Sequence, residues 1–231
     1  MRFRAVFFDA GETLVHPEPS FHDLFRRVLN QAGHDRTRAA VAEASAKVFE
    51  SFRQAAEDGS LWTTSPELSR SFWMSVYGPM LSELSLPSSD GLADVLYTAF
   101  TDRTNYSLFD DVVPALDQLA ATGVELGLIS NFEAWLEELL VDLEMIDRLP
   151  VRAISGIEGV QKPGLELFVV ALERAGVEPE EAAYVGDNPY FDVDPPAQLG
   201  MFPVLIDRLG RHESFDGTRI TSMSQLVEVL A

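Results

Sequence analysis

Residues 3–14 read FRAVFFDAGETL, and this stretch decides how the rest of the chain is interpreted. Its apolar run Ala5–Phe8 stops at Asp9 and precedes a turn at Gly11. A short apolar run bounded by turn signals is typical of a buried strand, and this run is too short for the apolar segment of a signal peptide. Asp9 is therefore expected at the carboxyl end of a buried strand.

Four further apolar runs in the second half of the chain also indicate buried strands. They are Val124–Ile129, Val151–Ser155, Ala182–Val185 and Phe202–Ile206. Pro203 lies inside the last run, so that strand is expected at the periphery of the sheet or with a late start. Helical patterns separate the runs, and one helix is expected to open at Pro163. The alternation predicts an α/β fold, with a parallel sheet and helices on both of its faces.

Residues 17–106 interrupt this alternation, because their apolar residues follow helical spacing. Phe21, Leu24, Phe25 and Val28 occupy positions i, i+3, i+4 and i+7 of one helix, and similar stripes follow. We therefore predict two domains. Residues 1–16 and 107–231 form the α/β core, and residues 17–106 form an α-helical subdomain inserted after its first strand.

Composition narrows the functional classes. The chain has 231 residues, 46% of them hydrophobic, and no cysteine, which excludes disulfides, thiolate metal sites and a cysteine nucleophile. No apolar run reaches the length of a membrane span, and we expect a cytoplasmic protein.

The 37 acidic and 17 basic residues give a net charge of −20, which disfavours nucleic-acid and membrane partners. A small anionic substrate therefore needs a local cation, and the two lysines are Lys47 and Lys162.

Polar side chains follow the predicted strands at the edge of the sheet where open parallel sheets bind ligands. Asp9 follows the first strand and Asp187 the fourth. Ser130-Asn131 follow the second, and Lys162 lies in the loop after the third. Singly, each residue has an ordinary explanation as a turn residue, a helix cap or a surface charge. Together, in this order on one edge, they indicate a common site.

Two acids at this edge suit phosphoryl transfer. The carboxylate of Asp9 can act as a nucleophile and form an acyl-phosphate intermediate. Mg²⁺ prefers carboxylate, carbonyl and water oxygens, which Asp9, Asp187 and the Gly11 carbonyl group can supply. The sequence therefore predicts Mg²⁺ as the cofactor and a small phosphorylated metabolite as the substrate.

Phosphate binding is expected from the hydroxyl group of Ser130, the adjacent main-chain N–H at Asn131 and the ammonium group of Lys162. Lys162 is expected to face both Asp9 and the substrate. A charge pair at about 4 Å contributes about 1 kcal/mol in water and about 4 kcal/mol at an effective dielectric constant near 20. The lysine thus offers the local cation that an acidic protein needs to bind an anion.

The chain resembles the haloacid dehalogenase-like hydrolases in four motifs that occur in the order of that family. FFDAGETL is similar to motif one, LISN to motif two, the Lys162-Pro163 pair to motif three and GDNPYFD to motif four. The resemblance covers the whole chain, because the family places its helical cap after the first strand. It implies a Rossmann-like sheet and identifies residues 17–106 as an α-helical cap over the active site.

The resemblance also implies roles for single residues. Asp9 is the nucleophile and a metal ligand, and Ser130 binds the phosphoryl group. Lys162 stabilises the intermediate. Asp187 binds the metal, and Asp192 orients the water shell of the metal.

The first motif departs from the family's phosphatases, which usually carry a second aspartate two residues after the nucleophile. That aspartate protonates the leaving group and activates water, and this position is Gly11 here. General acid–base help contributes roughly 10²- to 10⁴-fold in rate, so we expect a slow phosphatase. Glu12 and His16 are candidates for a substitute acid, although their ordinary explanations are a solvated turn residue and a loop residue.

Two alternatives stay open. A 2-haloacid dehalogenase would form an ester at Asp9 and needs no leaving-group acid, so the glycine is tolerated there. A catalytically weak protein would keep the metal and phosphate pocket for binding. The aspartate after the glycine in GDNPYFD favours the phosphatase, because a metal-free dehalogenase has little use for a second carboxylate beside the nucleophile.

Overall fold

The computed structural model describes residues 2–87 and 91–231, and the chain forms two compact units. The larger unit combines Met1–Val15 with Leu108–Ala231, and the smaller unit is His16–Ser107. That the smaller unit acts as a cap stays a prediction.

A six-stranded parallel sheet organises the larger unit. The strands of the described residues, numbered along the chain, are β1 Ala5–Phe8, β2 Val15–Pro17, β3 Tyr106–Leu108, β4 Glu125–Ser130, β5 Val151–Ile154, β6 Ala182–Gly186, β7 Phe202–Ile206 and β8 Arg219–Ile220. The sheet has the order β5-β4-β1-β6-β7-β8, while β2 pairs with β3. The predicted α/β class with a Rossmann-like parallel sheet is confirmed.

The helices of the described residues follow the predicted alternation. They are α1 Phe21–Gln31, α2 Arg38–Glu57, α3 Pro66–Glu83, α4 Leu92–Thr101, α5 Val112–Ala120, α6 Leu136–Asp142, α7 Ser155–Glu158, α8 Glu166–Ala175, α9 Asp194–Leu199 and α10 Leu226–Val229. None of them is both long enough and apolar enough to cross a membrane.

One expectation holds and one detail differs. β7 is the last strand but one of the sheet, and the two-residue β8 pairs only with Leu205 and Ile206, so Pro203 lies at the periphery as expected. The helix expected to open at Pro163 begins only at Glu166. Its start is delayed by a turn that the N–H of Gly164 closes by donating to the carbonyl oxygen of Gln161 at 3.0 Å.

One face of the sheet is packed against α8. Phe7, Ile129 and Tyr184 come from the three adjacent strands β1, β4 and β6 and are fully buried in one cluster with Phe168 of α8. The rings of Phe168 and Tyr184 meet edge to face, with centroids 5.1 Å apart. Replacing such a buried phenylalanine by alanine costs about 3–5 kcal/mol. This packing fixes the ring of Tyr184, whose hydroxyl group belongs to the site described below.

The smaller unit is built from α1 to α4. The apolar stripe of α1 is buried as its helical spacing predicts, with Leu24, Phe25 and Val28 inside. Ser20 caps this helix, and its hydroxyl oxygen accepts a hydrogen bond from the N–H of Asp23 at 3.2 Å. Aromatic packing continues in α3, where the rings of Trp73 and Tyr77 stack. The unit thus has a hydrophobic core of its own.

Candidate active site

The ends of three neighbouring strands bring the predicted acids and the hydroxyl group together. Asp9 directly follows β1, Ser130 is the last residue of β4, and Asp187 directly follows β6. β1 lies between β4 and β6, and Phe8 is in register with Leu128 and Val185. Because all three strands run in parallel, their carboxyl ends meet at one edge of the sheet.

Lys162 is held there by a complete set of acceptors. Its Nζ donates to Oδ1 of Asp9 at 2.8 Å, to Oδ1 of Asp192 at 2.6 Å and to the hydroxyl oxygen of Tyr184 at 2.9 Å. An ammonium group has three N–H donors, and each has a partner here. The side chain of Lys162 is only 3% exposed, so removing one partner of this buried pair is expected to cost about 3–5 kcal/mol.

The buried charges shift each other's pKa values. Burial lowers the pKa of Lys162, but the charges of Asp192 and Asp9 outweigh burial and raise it above its usual value. Burial raises the pKa of Asp9, and the charge of Lys162 offsets this rise only in part. Lys162 is therefore a permanent cation, whereas Asp9 lies among more negative than positive charge.

Asp187 shows the charge imbalance most clearly. Oxygen atoms of Asp9, Asp187 and Asp192 lie within 4.8 Å of one another. Burial, followed by the charges of Asp192, Asp9 and Glu12, raises the pKa of Asp187 well above its usual range. Its carboxylate accepts no hydrogen bond from any residue that the structure describes. Carboxylates in such excess over cations suit a divalent metal ion, which would lower their pKa values again.

Ser130 contacts the predicted nucleophile directly. Its Oγ donates to Oδ1 of Asp9 at 3.0 Å, and Ser130 is buried. Lys162 donates to the same oxygen. Among the described residues no donor reaches Oδ2 of Asp9, which leaves that oxygen available to a metal ion or a substrate.

Asn131 lies beside these residues, but its side chain is occupied. Its Nδ2 donates to the main-chain carbonyl oxygen of Lys162 at 2.8 Å, and its Oδ1 accepts from the main-chain N–H of Lys162 at 2.7 Å. The side-chain amide thus holds the main chain of the lysine. The phosphate contact predicted for the main-chain N–H at Asn131 stays a prediction.

Asp192 is also more strongly engaged than the sequence indicates. Oδ1 accepts from Lys162 and lies 3.1 Å from the hydroxyl group of Tyr184, and Oδ2 accepts from the N–H of Asn188 at 3.0 Å. Its carboxyl group lies so close to Gly186 that a Cβ atom at that glycine would come within 2.4 Å of Cγ. Asp192 thus anchors Lys162, and its predicted role at the metal's water shell stays a prediction.

The first motif forms a tight turn after Asp9. The N–H groups of Leu14 and Val15 both donate to the carbonyl oxygen of Ala10, at 2.8 and 2.9 Å. Within the turn Glu12 has a φ of 54°, in the left-handed region. Gly11 lies outside that region, and a Cβ atom there would meet no atom within 4 Å. A side chain at position 11 is therefore sterically possible.

The two candidates for a substitute acid are placed differently. Glu12 belongs to the larger unit and lies near enough to Asp187 for its charge to raise the pKa of that carboxyl group. His16 belongs to the smaller unit, where its Nδ1–H donates to the carbonyl oxygen of Pro17 at 2.9 Å. Glu12 therefore adds to the acidic cluster, and neither residue is assigned the role of the missing acid.

Tyr184 is the site residue that the sequence analysis does not identify. Its hydroxyl group donates to the main-chain carbonyl oxygen of Ile129 at 2.8 Å and accepts from Nζ of Lys162. Burial, followed by the charges of Asp192 and Asp9, raises its pKa well above the usual range, so it stays protonated. A tyrosine inside an otherwise apolar strand is the available signal, because a buried hydroxyl group requires a partner.

Comparison with known proteins agrees with this geometry. The family model described as haloacid dehalogenase-like hydrolase matches residues 3–200. The haloacid dehalogenase-like hydrolase domain-containing protein 3 of Danio rerio is 27% identical over 213 residues, which cover 89% of this chain and 85% of that protein. The phosphoserine phosphatase of Thermus thermophilus is 35% identical over 131 residues, which cover 56% of this chain and 53% of that protein.

Solved structures share the fold. The hydrolase YfnB of Bacillus subtilis, crystallised with magnesium, superposes with a TM-score of 0.80 at 17% identity, covering 100% of this chain and 99% of that one. The 2-haloacid dehalogenase of Pseudomonas syringae superposes with a TM-score of 0.61 at 25% identity, covering 99% and 98%. Proteins named for different activities therefore share this architecture.

Proposed function

The chain belongs to the haloacid dehalogenase-like hydrolases, and from this membership we propose that it is a Mg²⁺-dependent phosphatase of a small phosphorylated metabolite. One observation carries the proposal. The carboxylates of Asp9, Asp187 and Asp192 lie close together, Lys162 pairs with Asp9 and Asp192, and Asp187 has no hydrogen-bond donor among the described residues. A second cation is needed to balance these charges, and Mg²⁺ favours such oxygen ligands. The phosphatase relatives support the choice of substrate class.

In the proposed reaction, Oδ2 of Asp9 attacks the phosphorus atom of the substrate. The bond between phosphorus and the ester oxygen breaks, and the leaving alkoxide takes up a proton from water, because Gly11 offers no acid. Water then attacks the phosphorus atom of the aspartyl-phosphate, which releases inorganic phosphate and restores Asp9. Lys162 and Ser130, which donate to Oδ1 of Asp9, hold the carboxylate in place, and the positive charge of Lys162 favours the anionic transition state.

Mg²⁺, when bound by Asp9, Asp187 and the carbonyl oxygen of Gly11, would neutralise the carboxylates that otherwise repel phosphate. The helical unit His16–Ser107 is proposed to act as a cap that selects the substrate and excludes water. Turnover is expected to be slow, because Gly11 stands where the family's phosphatases usually have a general acid.

The test is hydrolysis of para-nitrophenyl phosphate with Mg²⁺, with a chelator, and by Asp9→Asn. We expect the wild type to release phosphate only with Mg²⁺. The folded Asp9→Asn variant should release none. The dehalogenase stays a second candidate, because Gly11 suits a reaction without a leaving-group acid. If the protein releases halide from a 2-haloacid without metal and does not hydrolyse phosphate esters, it is a dehalogenase and the phosphatase proposal is wrong.

A further inference from the structure

The end of β4 connects three parts of the larger unit through consecutive residues. Ser130 donates to Asp9 after β1. Asn131 exchanges two hydrogen bonds with the main chain of Lys162. The N–H of Phe132 donates at 2.9 Å to Oγ of Ser155, the residue that directly follows β5. Asn131 therefore lies between two residues that are each fastened to a neighbouring strand end.

The two bonds of Asn131 surround the Cα atom of Lys162. One bond holds the N–H before that atom and the other holds the carbonyl group after it, at 2.7 and 2.8 Å. The lysine lies in a loop between α7 and α8, where no strand pairing fixes its main chain. The amide of Asn131 supplies the pairing that a neighbouring strand would otherwise supply.

The reach of the ammonium group depends on this anchor. A lysine side chain is long and flexible, yet Nζ of Lys162 meets Asp9, Asp192 and Tyr184 at distances between 2.6 and 2.9 Å. A fixed Cα atom favours this geometry, because it limits the positions that the flexible side chain can reach. A displacement of about 1 Å can lower a rate by about 10²-fold.

We infer that Asn131 is a positioning residue, which acts through Lys162, and that its side chain is not a phosphate ligand. The catalytic consequence rests on the proposed function, whereas the structural link between the two residues does not. If the inference holds, the loss of the amide displaces the ammonium group without removing any group that touches the substrate.

The experiment compares the wild type with Asn131→Ala, Asn131→Asp and Gln225→Ala. Asn131→Asp keeps an acceptor for the N–H of Lys162 but loses the donor to its carbonyl oxygen. Gln225→Ala is the matched control, because the Gln225 side-chain amide also accepts from main-chain N–H groups, those of Thr221 and Ser222, in the same unit. Hydrogen exchange of the Lys162 amide, the NMR signal of its ammonium group, and kcat and KM for para-nitrophenyl phosphate are measured.

We expect Asn131→Ala to accelerate exchange of the Lys162 amide, to shift or broaden the ammonium signal, and to lower kcat about 10- to 100-fold with little change in KM. Asn131→Asp should keep the amide protected and lose part of kcat, and it serves as the second variant should the alanine protein not fold. Gln225→Ala should leave the three readouts unchanged.

Unchanged amide exchange and ammonium signal in both Asn131 variants would overturn the inference. A raised KM at unchanged kcat would also overturn it, because that split indicates a lost substrate contact. A wild type without phosphatase turnover would contradict the proposed function instead, and the two Lys162 signals would still decide whether Asn131 positions the lysine.

Discussion

Two charged clusters of the larger unit, one around Asp111 and Arg208 and one around Asp187, differ in how completely their carboxylates are paired. Asp111, at the start of α5, receives two bonds from Arg208, at 2.9 and 3.0 Å, and further bonds from Ser222 and the N–H of Met223. Asp187 receives none from the described residues. Burial raises the pKa of Asp111, but the bonds and the charge of Arg208 outweigh burial and lower it below its usual value. The pKa of Asp187 is shifted in the opposite direction.

The contrast separates a structural ion pair from the proposed metal site. The bonds of the Arg208 cluster join the loop after β7, the start of α5 and the carbonyl oxygen of Thr13 in the turn after β1. Both carboxylate oxygens of Asp111 accept hydrogen bonds within the chain, and its charge is balanced by Arg208. The Asp187 cluster is charged in excess and open to a cation. Perturbed carboxylates without partners are thus the better indicator of function.

The largest effect should come from removing Lys162, and Arg208 is the matched comparison in the other cluster. Lys162→Met leaves Asp9 and Asp192 without their shared partner, and we expect a loss of roughly 10³-fold in kcat together with about 3–5 kcal/mol in stability. Arg208→Met leaves Asp111 two other donors. It should therefore cost less stability and leave kcat nearly unchanged. Equal losses of kcat in both variants would remove the distinction between the clusters.

A gain of activity is expected from Gly11→Asp. The new carboxyl group can protonate the leaving group, a contribution of up to about 10²-fold in kcat for a substrate with a poor leaving group. The turn accepts a side chain, because Gly11 is outside the left-handed region and a Cβ atom would meet nothing within 4 Å. Rates with an alkyl and an aryl phosphate should be compared, since the aryl ester needs less acid help. A folded variant with unchanged or lower kcat on both esters would refute this account of the slow enzyme.

Replacing Asp111 is expected to lower stability and to leave activity unchanged. Asp111→Asn removes a carboxylate that is paired with Arg208 and partly exposed, so we expect a loss of about 2 kcal/mol, between the values for buried and surface pairs. Urea unfolding measures the loss. The rate of aryl phosphate hydrolysis should match that of the wild type, and a large fall in kcat would place Asp111 in the active site.

The smallest effect concerns the pH dependence of stability. The pKa of Asp111 is lowered in the folded state, so its contribution to stability is complete above the unfolded value of about 3.9 and is lost as pH falls through the folded value. Asp111→Asn should therefore lose less stability on acidification than the wild type does. If the free energy of unfolding falls with pH in the same way in both proteins, down to the acid transition, the pair of Asp111 and Arg208 does not contribute to the pH dependence of stability.

The strand ends are well predicted from the sequence, because apolar runs and the polar residues that follow them are local features. The positions of Asp9, Ser130 and Asp187 at the ends of strands follow from these local features alone. The side-chain direction of Asn131 does not, since its partner in the chain is 31 residues away and lies in an irregular loop. The hydroxyl contact of Tyr184 depends on which face of β6 points toward α8. The two-residue strand β8 is too short for any periodic signal.

Calorimetric titration with Mg²⁺ in the absence of substrate is the most direct test that the unpaired carboxylates form a metal site. The wild type and Asp111→Asn should bind Mg²⁺ equally, and Asp187→Asn should bind it at least about tenfold more weakly, because a carboxylate ligand has become a neutral amide. Equal binding by all three proteins, or no binding by the wild type, would contradict the assignment of this acidic cluster to a divalent cation.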